Sequence, residues 1–251
     1  MGLFGLFEKK NCSICGGEIK LMGNTKVSDG NICKECVAKL SPYFKSYKNA
    51  TVASIQEQLE YREKNKAEVD KFHATRTLGL TQTKIHIDED NKTFCVTSAS
   101  VLKDANPDII PLASVTGVEI EIDDRETEEK TRNAQGEMVS YVPKKVNYYY
   151  DFYCQITVNH PYFNTIRFKI NKDSVKILGG PVKPVNPGMD ASYRDYQRLG
   201  NDIKNILMLK RGEARKAETT VVKAVTCPCC GATTTPDASG CCEYCGSSVN
   251  Q

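Results

Sequence analysis

Cys12 and Cys15, followed by Gly16 and Gly17, and then Cys33 and Cys36, constrain this chain more than any other feature. Two cysteines three positions apart let one tight turn aim both sulfurs at one point. A glycine after the second accepts the positive φ that such a turn needs. The two pairs, separated by the 17 residues 16–32, form one four-thiolate set. A second set closes the sequence: Cys227 and Cys230 with Gly231, then Cys242 and Cys245 with Gly246. The 190 residues 37–226 carry no such motif.

Twelve cysteines could instead build a secreted disulfide scaffold. Against this, they cluster as Cys-x-x-Cys pairs, and the middle of the chain is large enough for its own core. The opening Met1 to Lys10 lacks a long apolar stretch and a small-residue cleavage site, so no signal peptide is expected. The reading is therefore metal binding in a reducing, cytoplasmic setting, with a place at the inner-membrane periphery as a variant. The expected ligands are Cys12, Cys15, Cys33 and Cys36 for one zinc ion, and Cys227, Cys230, Cys242 and Cys245 for another. Cys229 and Cys241 are extra thiols that could substitute in the second site. A catalytic zinc keeps an open position and commonly uses His or carboxylate ligands. Two all-cysteine sets match the structural pattern instead.

The chain of 251 residues is 40% hydrophobic and 26% charged, the profile of a globular protein with small appended modules. Its net charge of +3 sets up no global field for nucleic acid. Residues 1–50 and 191–226 each carry eight bases against four acids, a mild local bias only.

Taken in order, residues 1–10 are an apolar and then basic lead, in which Leu3, Phe4, Leu6 and Phe7 could rest on a membrane surface. Residues 11–49 form the first finger: a knuckle, a small hairpin marked by Ile19, Leu21, Val27 and the Asp29-Gly30 turn, and a short helix opened by the second cysteine pair. This order is treble-clef-like. Residues 50–74 are a helical spacer, with an amphipathic helix over 51–73 whose apolar positions are Val52, Ile55, Leu59, Val69 and Phe72. Arg62 is expected on its solvated face, and Arg62 and Lys66 interrupt the stripe.

Residues 75–212 switch to strand periodicity. A hairpin joins 83–87 to 93–97, and pairing Ile87 with Phe94 would set His86 opposite Cys95. Val118, Ile120 and Ile122 alternate with acids. Residues 124–145 are a polar excursion or long hairpin tip. Tyr148, Tyr150, Phe152, Cys154, Ile156 and Val158 share one strand face. A helix over 193–210 presents Tyr196, Leu199, Ile203, Ile206, Leu207 and Leu209. Residues 213–226 are a linker, and 227–251 a zinc ribbon.

The fold class is thus α+β, with an antiparallel barrel capped by a helix between two metal modules. The order of strands and helix, with the segment Asp108 to Val115, resembles bacterial pleckstrin-homology-like (PH-like) domains. That likeness implies a barrel, and in some members lipid binding through basic residues at the first hairpin. Here that tip holds Asp88, Glu89, Asp90 and one Lys92. The residues 12–18, 29–36, Leu40-Ser-Pro42 and 75–79 also resemble an uncharacterised bacterial family with an N-terminal four-cysteine finger, which implies metal binding and brings no activity.

Other candidates read blandly. His73 ends the spacer helix, His160 sits in a turn, and Cys154 is a core thiol. The acids Asp123, Asp124, Glu126, Glu128 and Glu129 form a solvated edge or a divalent-cation site. The Tyr148 to Tyr150 run packs in a strand or stacks on bases. No nucleophile-elbow, phosphate-loop or dinucleotide motif is present. The expectation is a non-enzymatic, zinc-holding adaptor for a protein partner, with no small-molecule substrate. The alternatives are a peripheral membrane-binding module and a nucleic-acid-binding finger protein.

Overall fold

A computed structural model describes residues 10–20, 23–180, 182–220, 225–236 and 240–249. Leu3, Phe4, Leu6, Phe7 and Leu21 lie outside these. The chain divides into two compact units, Met1–Lys210 and Arg211–Gln251.

In the first unit, Ser28 and Asp29 turn the chain from β1 (Asn24–Val27) to β2 (Gly30–Cys33), one position before the Asp29-Gly30 turn expected. A Cβ on Gly30 would lie 2.6 Å from Ser13 Oγ and 2.8 Å from Val52 Cγ2, so only glycine lets the turn seat here. Cys33 caps α1 (Lys34–Val37). Asp29 accepts a hydrogen bond from the backbone N–H of Val52, at 2.7 Å, and so anchors the start of α2 (Val52–Lys71). Thr51 caps α2 by accepting from the Ser54 N–H. Ile19, Val27, Ile32, Leu40, Phe44 and Ile55 form a small core around the cysteines, so the finger and the base of the spacer helix bury one surface.

The buried stripe of α2 differs from its apolar pattern. Its buried positions are Ile55, Gln58, Arg62, Asn65 and Val69, which follow helical spacing but are polar at three of five places. Arg62, expected in solvent, is only 9% exposed in its side chain and pairs at 2.9 Å with Asp108, whose side chain is 0% exposed. The same guanidinium donates to the carbonyls of Lys39 and Asn106. Asn65 donates to Pro107 O and accepts from the Ile109 N–H. Ser41 donates to the other Asp108 oxygen at 2.8 Å. A charge so far from water persists only when its hydrogen-bonding groups are met, and here three segments meet them. The network ties the finger, through Lys39 and Ser41, to the segment that leads into the sheets.

Two antiparallel sheets follow. The first has the order β3 (Arg76–Leu78), β4 (Lys84–Asp88), β5 (Thr93–Thr97) and β6 (Ile110–Pro111), with α3 (Leu102–Ala105) on the β5–β6 connection. Ile87 pairs with Phe94 and His86 with Cys95, the register expected. In the second, β7 (Val115–Arg132) pairs along its length with β8 (Met138–Val158). The opposite edge of β8 takes β9 (Thr165–Lys169) and β10 (Val175–Gly179). Residues 124–145 are therefore the far part of a long hairpin. Every second residue from Tyr148 to Val158 is buried, as the alternation requires.

The closed barrel expected from the strand pattern is not formed. The sheets remain separate because β6 spans two residues, one of them Pro111, and a 3-10 turn at Leu112–Ser114 intervenes before β7. Proline has no N–H to continue a ladder. The terminal helix α4 (Ala191–Thr220) is longer than expected and takes in residues 213–220, which had read as linker. Ile203 and Leu207 are buried, whereas Leu209 is 61% exposed and does not belong to the packed side. Gly200 lets α4 approach β7: a Cβ there would lie 2.9 Å from Ile120 Cγ2.

The second unit begins within α4 and holds β11 (Val225–Thr226) paired with β12 (Thr233–Thr234). No helix among the described residues is long and apolar enough to cross a membrane.

Candidate metal centres

One turn is used three times. Gly16 N donates to Cys12 O, Gly231 N to Cys227 O and Gly246 N to Cys242 O, at 2.8, 2.9 and 2.8 Å. Cys12 N, Cys227 N and Cys242 N close the same turns on the carbonyls of Gly17, Ala232 and Ser247, each at 2.8 Å. The three glycines have φ of +74°, +72° and +69°, the conformation their position in the motif calls for. The fourth pair differs. Cys33 ends β2 and caps α1, accepting at 3.4 Å from the Cys36 N–H, so a helix start supplies the second half of the first set.

These elements bring together all eight cysteines singled out by their spacing, as two groups whose sulfurs lie within 4.8 Å of one another. In the first, Cys12 and Cys36 sulfurs are 3.8 Å apart, as are Cys15 and Cys33. In the second, Cys227 lies 3.5 Å from Cys245 and Cys230 lies 3.7 Å from Cys242. A tetrahedron of sulfurs about 2.3 Å from a central ion has edges of about 3.8 Å, whereas a disulfide requires about 2.05 Å. The spacing is that of ligands around one ion. Cys229 and Cys241 stand outside both groups.

The electrostatics agree. Burial opposes ionisation of Cys12, but the N–H groups of Cys15, Cys33 and Ile14 outweigh it and bring the thiol down to about 6. Burial and the neighbouring sulfurs push Cys36 up, and burial raises Cys33. In the second group the Ser247 hydroxyl and N–H bring Cys245 down to about 6. For Cys230, the Ala232 N–H acts downward, yet neighbouring sulfurs, Cys245 first, push it up to about 12. In the first group one thiolate forms readily while Cys33 and Cys36 resist the next negative charge. In the second, burial opposes ionisation of Cys242 but the Cys245 and Tyr244 N–H groups bring it down as well, while Cys230 resists. A dication at the centre removes that conflict.

The other candidates take structural places. Cys95 and Cys154 are fully buried, and burial pushes both thiols up to about 12. His86 shares a hydrogen bond with Thr77 through Nδ1. His73 donates its backbone N–H to Asp88, and His160 stacks on Phe163 at 3.9 Å. Most of the acidic stretch of β7 is ion-paired: Arg167 bridges Glu121 and Asp123, Lys183 meets Asp124, Lys144 faces Glu128 and Lys176 faces Glu129, while Glu126 forms no ion pair among the described residues. Tyr148 and Tyr150 are buried, while Arg125 lies over the outward Tyr149. The residues that sequence reasoning missed are Arg62 and Asp108. Their signal was the i, i+3, i+4 spacing that sets Arg62 in line with Ile55 and Val69.

The family model described as "Domain of unknown function (DUF4428)" matches residues 10–58, which take in the first cysteine group and the first turns of α2. Comparison with curated proteins and with solved structures gives no match.

Proposed function

We propose that this chain is a non-enzymatic adaptor that holds two structural zinc ions and presents protein-binding surfaces on the modules they stiffen. The observation that carries the reading is the pair of all-cysteine tetrads at tetrahedral spacing. Sulfur ligands select zinc over hard cations, and four of them leave no position for a substrate. The first set combines a knuckle, a hairpin and a helix start, a treble-clef-like arrangement. The second combines two knuckles, as in a zinc ribbon. The reading of the two sheets followed by α4 as PH-like rests on their element order alone, since no closed barrel is formed. The buried Arg62–Asp108 network supports the idea that the first finger acts as part of the larger unit rather than as a tethered module.

The test is metal content and its effect on order. Purified protein should hold two zinc ions per chain. Stepwise chelation should remove hydrogen-exchange protection around Cys12–Cys36 and Cys227–Cys245. Unchanged protection at both after complete metal removal would defeat the structural-zinc reading. Affinity purification of the intact chain against Cys12→Ser/Cys15→Ser tests the adaptor role, which predicts a protein partner lost from the variant.

A further inference from the structure

Beside the outer edge of the first sheet lies an open cleft of about 950 Å³. Its walls come from β3, the 79–83 loop, β4, the 98–102 segment and Lys172 after β9. Gly79 sets the loop. It has φ of +112°, and a Cβ there would lie 3.3 Å from Thr83 O, so the chain can fold back closely only at a glycine. Thr81 donates to Thr83 O and the Ala99 N–H donates to Thr97, which shape the two rims.

The lining is chemically one-sided. It contains Lys84, Lys172 and His86, the hydroxyls of Thr77, Thr81, Ser98 and Ser100, and no carboxylate. Among the described residues of this unit, Arg62, Arg76, Lys103, Arg167 and Lys183 sit in ion pairs, and Lys26, Lys64 and Lys92 do not. Among the described residues, Lys84 and Lys172 have none. The acidic hairpin tip at 88–90 is not part of the lining. The volume is within the roughly 300–1,000 Å³ of small-molecule sites.

We infer that this cleft binds a phosphorylated ligand, with Lys84 and Lys172 meeting the phosphate and the threonine and serine hydroxyls meeting its oxygens. Ammonium and hydroxyl donors suit phosphate, and a wall without carboxylates leaves nothing to repel it. His86 completes the donor set. Its Nδ1 is engaged by Thr77, and burial, then Lys84, lowers its proton affinity. A bound dianion would reverse the Lys84 effect. The inference is independent of the metals and extends beyond the adaptor role, because it gives the first sheet a ligand of its own.

The chain has three histidines, so their ring resonances can be followed separately in the zinc-loaded protein. Inorganic pyrophosphate should shift the His86 ring saturably and leave His73 and His160 in place. Lys84→Gln/Lys172→Gln should weaken that binding by about tenfold or more, with amide spectra outside the cleft unchanged. Ser98→Asp, which adds a carboxylate to the wall and keeps both lysines, should weaken it as well. Phosphatidylcholine vesicles with and without phosphatidic acid identify the phosphate source. Sedimentation that needs phosphatidic acid and is competed by pyrophosphate points to a lipid headgroup, and pyrophosphate binding without sedimentation points to a soluble phosphate. If His86 moves no more than the other two histidines, or the double variant binds pyrophosphate as the parent does, the inference is overturned.

Discussion

Arg62→Met is the most informative single change in this chain. It keeps the length and apolar stem of the side chain but removes three donations, to Asp108, Asn106 O and Lys39 O. Asp108 is then left as a fully buried carboxylate with the Ser41 hydroxyl still 2.8 Å away. Breaking a buried pair from one side costs about 3–5 kcal/mol, because the remaining charge is unpaired in a medium that does not solvate it. Asp108→Asn removes the charge, keeps the shape and leaves Arg62 unpaired, so it should cost a similar amount. Replacing both ends should cost far less than the sum, with a coupling of about 0.5–3 kcal/mol. The assay is urea unfolding of the zinc-loaded protein, followed by a signal from the first unit. Hydrogen exchange at Lys39–Phe44 would report whether the finger loosens first. Zinc content should be unchanged, since no ligand is touched. If each single variant loses less than about 1 kcal/mol, as an exposed pair would, or if the two losses simply add, the network does not lock the finger to the sheets.

Gly16→Ala should cost about 1–2 kcal/mol through backbone strain alone, because its Cβ would meet nothing within 4 Å. The check is a corresponding fall in zinc affinity, of roughly 5–30-fold, in a competition titration with a chromophoric chelator. Gly200→Val should destabilise the first unit by about 1–3 kcal/mol by overpacking Ile120, read as a lower urea midpoint; an unchanged midpoint would mean that α4 does not need the close approach. Burial lowers the pKa of both His86 and His160 below the ordinary 6.5. Each is therefore favoured neutral in the fold, and the stability this contributes is present above 6.5 and lost as pH falls through 6.5 towards the folded values. The urea midpoint should drop over that window, and His86→Gln/His160→Gln should flatten the drop.

Much of the site was legible because its chemistry is local. The turn that aims Cys12 and Cys15 is written in six consecutive residues, and the same turn recurs at Cys227 and Cys242 with glycine at the same place. The alternation from Tyr148 to Val158 and the His86–Cys95 register were legible for the same reason, since each depends on neighbours along a strand or across a short hairpin. The misreadings were non-local. Arg62 looks like a solvated residue because charge on a helix is usually exposed, and nothing near it in sequence announces Asp108. The barrel failed at β6, where a two-residue strand that includes a proline decides what a long periodic pattern cannot. Strand β10 was missed because Val175–Gly179 includes Lys176 and a glycine, and its place comes from β8 rather than from its own composition. A Cβ on Gly179 would lie 2.5 Å from the Tyr148 ring, so even its weakest strand former is dictated by the neighbour.

The far end of the β7–β8 hairpin has a consequence for how this chain can vary in length. Between Glu129 and Lys130 the register slips, and Tyr141 to Lys144 have no partner across the ladder. Beyond that point the turn at 133–137 is closed by its own groups, with Asn133 accepting from the N–H groups of Gln135 and Glu137 and Arg132 reaching Gly136 O. The slip isolates the tip from the strict two-residue period that the buried half of β8 must obey. Residues can be added or removed there on one strand alone without turning Tyr148 or Phe152 away from the core. Natural relatives should differ in length at this arm before they differ elsewhere in the sheets, and a reporter peptide inserted at Gly136 should leave the sheets and both cysteine groups undisturbed.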